Sequence, residues 1–271
     1  MRNADKIASV AGELIVQHLP SKQGKPYWSD EAGGVWRMYP YVPSRNFDVL
    51  PHSLLTPVGA IFGDLLSRLT TLDRELETSI PGFHDSSSIY DPSIRCVRWE
   101  RQTENLSTWI FWRKRLVDSK DDTQIIHGDC KVNNVPVRSV GRQSDQSRRS
   151  GYPDAGSASW DFGDLVRSIF AGAEESSEKL SFLMPGLERW FEAFLSTYGP
   201  LTDVEKFAEA PAHMSFMLGT RFLTDHFDND RYFGVMRRGE NLDRARVQFT
   251  LAKQFDESVE RLGEIITEVM D

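Results

Sequence analysis

"IIHGDCKVNNVPV", residues 125–137, is the stretch on which the reading of this chain turns. Two β-prone residues, Ile125 and Ile126, run directly into His127, Gly128 and Asp129. Lys131 and Asn134 follow, giving the spacing D-x-K-x-x-N. A lone His-x-Asp at a strand end is no more than a turn with solvated polar side chains. Strand, histidine, carboxylate, ammonium and amide together are more specific than any one of them.

These residue types suit one chemistry. Phosphoryl transfer needs a carboxylate to orient and deprotonate the attacking hydroxyl, a cation near the γ-phosphate, and an oxygen ligand for Mg²⁺ on the same loop. Asp129 is the expected catalytic base, Lys131 the phosphate contact and Asn134 the metal ligand. His127 is expected to brace the loop rather than react. The cofactors implied are ATP and Mg²⁺.

Outward from the loop, 271 residues suffice for one large domain or two lobes with a real core. Hydrophobic content of 39% and charged content of 27% describe an ordinary soluble globular protein. A net charge of −8 argues against nucleic acid or an anionic membrane as partner, since both need basic surface. Cys96 and Cys130 have no ligand-like spacing, so neither a zinc site nor a disulfide framework is expected. No apolar run approaches transmembrane length, and "MRNADKIASVAGELIVQHL" has no signal-peptide core. A cytoplasmic protein is the expectation, acting on a small-molecule acceptor, with oligomeric state left open.

Periodicity supplies the elements. Ile7, Val10, Ala11, Leu14, Ile15 and His18 share a helical face over 4–19, closed by Pro20. "GKPYWSDEAGGVWRMYPYV", 24–42, reads as a hairpin around a polar Asp30–Gly34 turn. "SRNFDVLPHS", 44–53, leads into a helix carrying Val58, Ile61, Phe62, Leu65, Leu66, Leu69 and Leu72. In the last third, Leu187, Trp190, Phe191, Phe194, Leu195 and Tyr198 form one stripe, and two further helices are expected over 203–227 and 242–269. The fold class is α+β, a small hairpin-containing region before a larger, mostly helical lobe. Residues 138–159, "RSVGRQSDQSRRSGYPDAGSAS", stand apart, with Val140 and Tyr152 as the only large apolar residues. Structureless loops of that length are uncommon inside compact domains.

The loop is similar to the catalytic loop of the aminoglycoside phosphotransferase and choline kinase-like superfamily, H-x-D-x-x-x-x-N. Within it the chain most resembles the N-acetylhexosamine kinase-like group. "DCKVNNV" (129–135), "WDFGDLVR" (160–167), "RFLTDHF" (221–227) and "NLDRARVQF" (241–249) carry the resemblance, and the hairpin resembles the group's last N-lobe strands and hinge. It extends over most of the chain from the first helix onward.

The resemblance implies a protein-kinase-like (aminoglycoside phosphotransferase-like) fold. Residues 1–43 would be a remnant of an N-lobe, and 44–271 a helical C-lobe with catalytic loop 125–135 and anomalous loop 136–159. It implies an ATP-dependent phosphotransferase whose acceptor is a small hydroxylated molecule, with a sugar such as an N-acetylhexosamine favoured. The hinge residues Tyr39, Tyr41 and Val42 would face adenine through their backbone. Asp161, Asp164, Arg167, Arg221, Asp225 and Arg244 would line the acceptor pocket, each with a helix–helix salt bridge as its plainer alternative. Glu100, Arg101, Trp109 and Trp112 could line the acceptor side, though nothing in their spacing demands it. In that group the magnesium aspartate belongs to a D-L-D-T-x-M-P-G segment upstream of D-F-G-D. The letters D-F-G at 161–163 would therefore be a separate structural or pocket-lining element.

Two departures bear on activity. Where D-L-D-T is expected stands "RSGYPDAG", 149–156. Those residues can be encoded CGA TCT GGA TAC CCT GAT GCC GG, which read one base later gives D-L-D-T-L-M-P-G. Residues 136–156 are thus expected to be out-of-frame translation between two compensating indels, the alternative being a natural lid loop. Also, no glycine-rich phosphate loop precedes the first helix, which reads as a truncated or late start. Mg²⁺ would keep only Asn134, and the triphosphate would lose electrostatic support. The expected activity is impaired, and the alternative is an inactive kinase-fold remnant or pseudokinase-like binding protein.

Overall fold

Helix α1 (Arg2–Ala11) ends earlier than its apolar pattern predicts. Gly12 adopts φ +55°, a left-handed conformation that glycine enters without steric cost, and it breaks the ladder. A 3₁₀ turn over Gly12–Leu14 follows, and Ile15 is already extended. Ile7, Ala11, Leu14 and Ile15 are nonetheless buried, so the predicted apolar face survives the change of backbone. The computed structural model describes residues 2–41, 43–45, 47, 49–72, 123–134, 137–138, 154–171 and 185–271.

The hairpin forms where the sequence places it. Strand β1 (Trp28–Ser29) pairs antiparallel with β2 (Val35–Trp36), Trp28 opposite Trp36. Asp30 organises the turn, accepting the Gly34 N–H at 2.6 Å and the Trp36 indole N–H at 2.7 Å. These bonds hold the Asp30 carboxyl below its usual range, with the indole the largest cause. A second small sheet pairs β3 (Ser44–Arg45) with β5 (Val137–Arg138). The sequence read 44–53 as plain connection; backbone pairing across the chain makes its start a strand.

Helix α2 (Leu55–Leu69) buries Val58, Phe62, Leu65, Leu66 and Leu69, the face predicted. Strand β4 (Thr123–Ile126) pairs antiparallel with β6 (Asp154–Ser157), Ile126 opposite Asp154. β6 lies inside the stretch expected to be loop, and helix α3 (Ala158–Ile169) starts before that stretch ends. Residues 154–159 lack a period because β6 takes its order from hydrogen bonds to β4, not from an apolar face. Ser157 caps α3, its hydroxyl accepting the Ser159 N–H.

The larger lobe is built on α3, α4 (Leu187–Tyr198) and α5 (Val204–Phe227). Phe162 is fully buried, with the rings of Trp190, Phe191, Phe194 and Phe207 at centroid distances of 5.1–5.8 Å. Removing such a ring costs about 3–5 kcal/mol. The middle letter of D-F-G is therefore a core residue. Helix α2 packs on α4, α3 on α5, and α5 on α6 (Glu240–Asp256). The single helix expected over 242–269 is two. The chain turns at Glu257–Ser258, where the Ser258 hydroxyl donates to the Gln254 carbonyl, and resumes as α7 (Val259–Met270). Among the described residues no helix is long and apolar enough to cross a membrane.

Candidate active site

The loop over 127–131 hangs between β4 and a 3₁₀ turn over Val132–Asn134. Its shape is imposed from below by α3. The Asp161 carboxylate accepts the backbone N–H of His127 at 2.6 Å and of Gly128 at 2.8 Å. The Ser168 hydroxyl accepts the Val132 N–H at 3.0 Å. Phe162 locks α3 into the core, so its neighbour Asp161 presents a fixed carboxylate to the loop. Two residues of one motif thus do two jobs.

Above this brace, Asp129 sits between two partners. The Lys131 ammonium lies 3.3 Å from its carboxylate. The Asn134 amide nitrogen donates to the Asp129 carboxylate at 2.8 Å and to its backbone carbonyl at 2.9 Å. His127 is fully buried, and its Nδ1 accepts the Asp129 N–H at 3.3 Å, a bracing contact. The three residues read from D-x-K-x-x-N are thus within bonding distance of one another. That a short motif folds into a cluster follows from the tight turn after β4.

Electrostatics mark the layer beneath. Burial pushes the Asp161 carboxyl up from its ordinary range, against the pull of His127 and the two backbone donors. Burial likewise raises Asp164, opposed by the Arg167 and Lys131 charges. The Cys130 thiol, fully buried and close to both aspartates, is pushed well up by burial first and their charge second. His127, Cys130 and Asp161 offer ligand atoms within 4.8 Å of one another. The Asp161 oxygens already accept two backbone N–H groups, so this cluster is a brace.

Magnesium wants oxygen ligands and is commonly held by one or two side chains plus substrate phosphates. The Asn134 amide oxygen, whose nitrogen is committed to Asp129, and the Asp129 carboxylate fit that need in kind. They fall one carboxylate short of the set the resemblance implies.

The six pocket candidates divide by surroundings. Asp161 is a buried brace rather than a lining group. Asp164 holds Arg167 at 2.7 Å, and the buried Arg167 guanidinium also reaches the Gln248 amide oxygen at 3.4 Å. The ion pair lies within α3, and the bond from Arg167 to Gln248 joins α3 to α6. Asp225 is buried and accepts the backbone N–H groups of Tyr232 and Phe233, each at 2.8 Å. Arg244 donates to Glu240, to the Gly234 carbonyl and to Asn241. The Arg221 guanidinium sits 5.7 and 5.5 Å from the ring centroids of Tyr232 and Phe233. Burial lowers its pKa, opposed by Tyr232 first and then by the charges of Asp164 and Asp129. The charge of Asp129 raises the Asp164 carboxyl and, with that of Asp164, opposes the lowering of Arg221.

Ser168, Gln248, Tyr232 and Asn241 were not singled out from sequence. Tyr232 and Asn241 lie in or beside quoted motifs, but nothing in one sequence marks an aromatic before α6 as facing Arg221. Tyr39 and Tyr41 are exposed, Tyr41 at 88%. Val42, Glu100, Arg101, Trp109 and Trp112 lie outside the described residues.

No family model matches the sequence. Solved structures do share its architecture. A choline/ethanolamine kinase family protein from Mesorhizobium loti is 14% identical with TM-score 0.61, over 99% of this chain and 81% of that one. The microcompartment-associated aminopropanol kinase is 15% identical with TM-score 0.61, over 95% and 81%. An aminoglycoside phosphotransferase from Alicyclobacillus acidocaldarius is 12% identical with TM-score 0.62, over 98% and 83%. At such identities the likeness concerns the fold. The chain has the α+β, protein-kinase-like fold of these phosphotransferases, with a mostly helical larger lobe.

Proposed function

We propose that the chain is an ATP-dependent phosphotransferase acting on the hydroxyl of a small molecule. The observation that carries this is the cluster of Asp129, Lys131 and Asn134 on a loop braced by Asp161. In the transfer, the acceptor oxygen forms a bond to the γ-phosphorus while the bond from that phosphorus to the β,γ-bridging oxygen breaks, releasing ADP. Asp129 accepts the hydroxyl proton, Lys131 offers positive charge to the transferred group, and Asn134 is the metal contact. Magnesium, when bound, neutralises charge on the phosphates. Positioning and electrostatics supply most of the catalysis in such sites, which is why a rigid loop matters.

The names of the structural neighbours, kinases of choline or ethanolamine, aminopropanol and aminoglycosides, support a small-molecule acceptor. The motif resemblance favours a sugar, an N-acetylhexosamine, within that class. We place the lobe boundary near residue 43, with the hinge at 39–42. Asp164, Arg167, Arg221, Asp225 and Arg244 belong to the acceptor side, in direct or supporting positions.

A second reading rests on one observation, "RSGYPDAG" at 149–156 in place of a magnesium aspartate. On that reading the chain is a kinase-fold remnant that binds without turnover, and the frame of 136–156 decides it. The test is ADP release by the purified protein with ATP and Mg²⁺ against hexosamines, N-acetylhexosamines, choline, aminopropanol and aminoglycosides. Turnover lost in Asp129→Asn upholds the first reading; no turnover with any acceptor, together with an unchanged resequenced gene, upholds the second.

A further inference from the structure

Two of the motif segments, 221–227 and 241–249, meet at a buried polar contact. The Asn241 amide nitrogen donates to the Asp225 carboxylate at 2.9 Å, and Asn241 is fully buried. The same nitrogen donates to Asp230 at 2.9 Å. Asp225 in turn accepts the N–H groups of Tyr232 and Phe233. Between them the chain passes through Asn229 and Asp230 at φ +67° and +56°, the left-handed region that Asn and Asp enter more readily than other side-chain-bearing residues. The polar contacts of Asp225 and Asn241 tie this turn to α5 and α6.

What they fix is a pair of rings. Phe233 packs on Phe222 at 4.7 Å and edge-on to Tyr232 at 4.8 Å. The Arg221 guanidinium lies over both Tyr232 and Phe233. A long side chain in the last third of α5 would otherwise sample many rotamers, and a cation helps catalysis only where it is held in advance. We propose that Asp225 and Asn241 form a clamp that positions the Arg221 guanidinium against the Tyr232 and Phe233 rings, so that both are positioning residues for the acceptor side on which Arg221 is placed above. Its catalytic part rests on the phosphotransferase reading above.

The test pairs a structural readout with a kinetic one. In Asn241→Ala, amide exchange at Tyr232 and Phe233 is expected to quicken by about tenfold. The Arg221 Nε–H signal, assigned by its loss in Arg221→Lys, is expected to broaden, with exchange in α3 and α4 unchanged. With an acceptor from the panel, Asn241→Ala is expected to lower kcat/KM about tenfold, the loss falling on kcat. In an Arg221→Ala background the same change is expected to cost less than about twofold. Asp230→Ala, which removes one acceptor at the loop, serves as the second variant if Asn241→Ala does not fold. Equal losses in both backgrounds would overturn the proposal, as would unaltered exchange and Arg221 signals. If the parent turns over no acceptor, the phosphotransferase reading fails separately, and the exchange and Arg221 signals alone decide the clamp.

Discussion

Asp161 accepts the backbone N–H of His127 at 2.6 Å, across 34 positions of sequence. This contact fixes what the letters D-F-G mean here. The aspartate faces loop amides, and the phenylalanine beside it fills the core. Removing Asp161 leaves two donors without their acceptor in a site that excludes water. Asp161→Ala is expected to destabilise by about 3–5 kcal/mol, and Asp161→Asn, which keeps one acceptor oxygen, by less. Urea unfolding of both variants checks the order.

Asp129 is partly buried, and its carboxylate meets Lys131 and the Asn134 amide, a contact the amide oxygen of an asparagine can still accept in part. Asp129→Asn is therefore expected to leave the melting temperature near that of the parent. It should lower phosphoryl transfer by about 10²–10⁴-fold, the share of a positioned general base. ADP release with a panel acceptor, beside a thermal melt, measures both. A small kinetic loss would argue that another group takes the proton.

Asp161 and Asp164 have carboxyls raised by burial above the ordinary 3.8. The folded state then holds these protons more tightly than the unfolded one. Their contribution to stability is present below pH 3.8 and is lost as pH rises through the raised values. The stability difference between parent and Asp164→Asn should accordingly shift against the parent as pH rises from near 3.8. Paired urea titrations across that range give the slope, and a slope of opposite sign would sink the assignment.

Gly59 and Gly63 lie where α2 meets α4. A Cβ on Gly59 would come within 2.6 Å of the Trp190 carbonyl oxygen, and one on Gly63 would strike the Phe194 carbonyl and the Thr197 hydroxyl. Alanine gains about 1 kcal/mol of helix propensity at such positions. Backbone cannot yield as a flexible side chain can, so overpacking of about 1–3 kcal/mol or more should prevail. Gly63→Ala is expected to be the worse of the two by chemical denaturation.

Cys130 is fully buried and its thiol is pushed well up by burial and the neighbouring aspartates. The thiolate is the reactive form, so folded protein at neutral pH should resist iodoacetamide at this position. Peptide mapping by mass spectrometry should find Cys130 unlabelled until denaturant is added. Labelling in the folded state would mean the loop opens readily.

Much of this was legible in one dimension. The α2 and α4 stripes, the hairpin around Asp30 and the Asp129–Lys131–Asn134 cluster are local: helix period, turn chemistry and a six-residue span specify them without help. That the D-F-G letters have no metal role is an expectation from the family resemblance; the sequence itself makes no such separation. It misjudged the extents set by other forces: α1 stops at Gly12, the last predicted helix divides at Ser258, and 154–157 becomes a strand by pairing with β4. Which polar residues face the loop was settled only by tertiary structure. Asp161 and Ser168 reach it from α3, and the direction of a side chain on a packed helix depends on what the opposite face buries. A single sequence states that a carboxylate is present; the packing of Phe162 decides where it points.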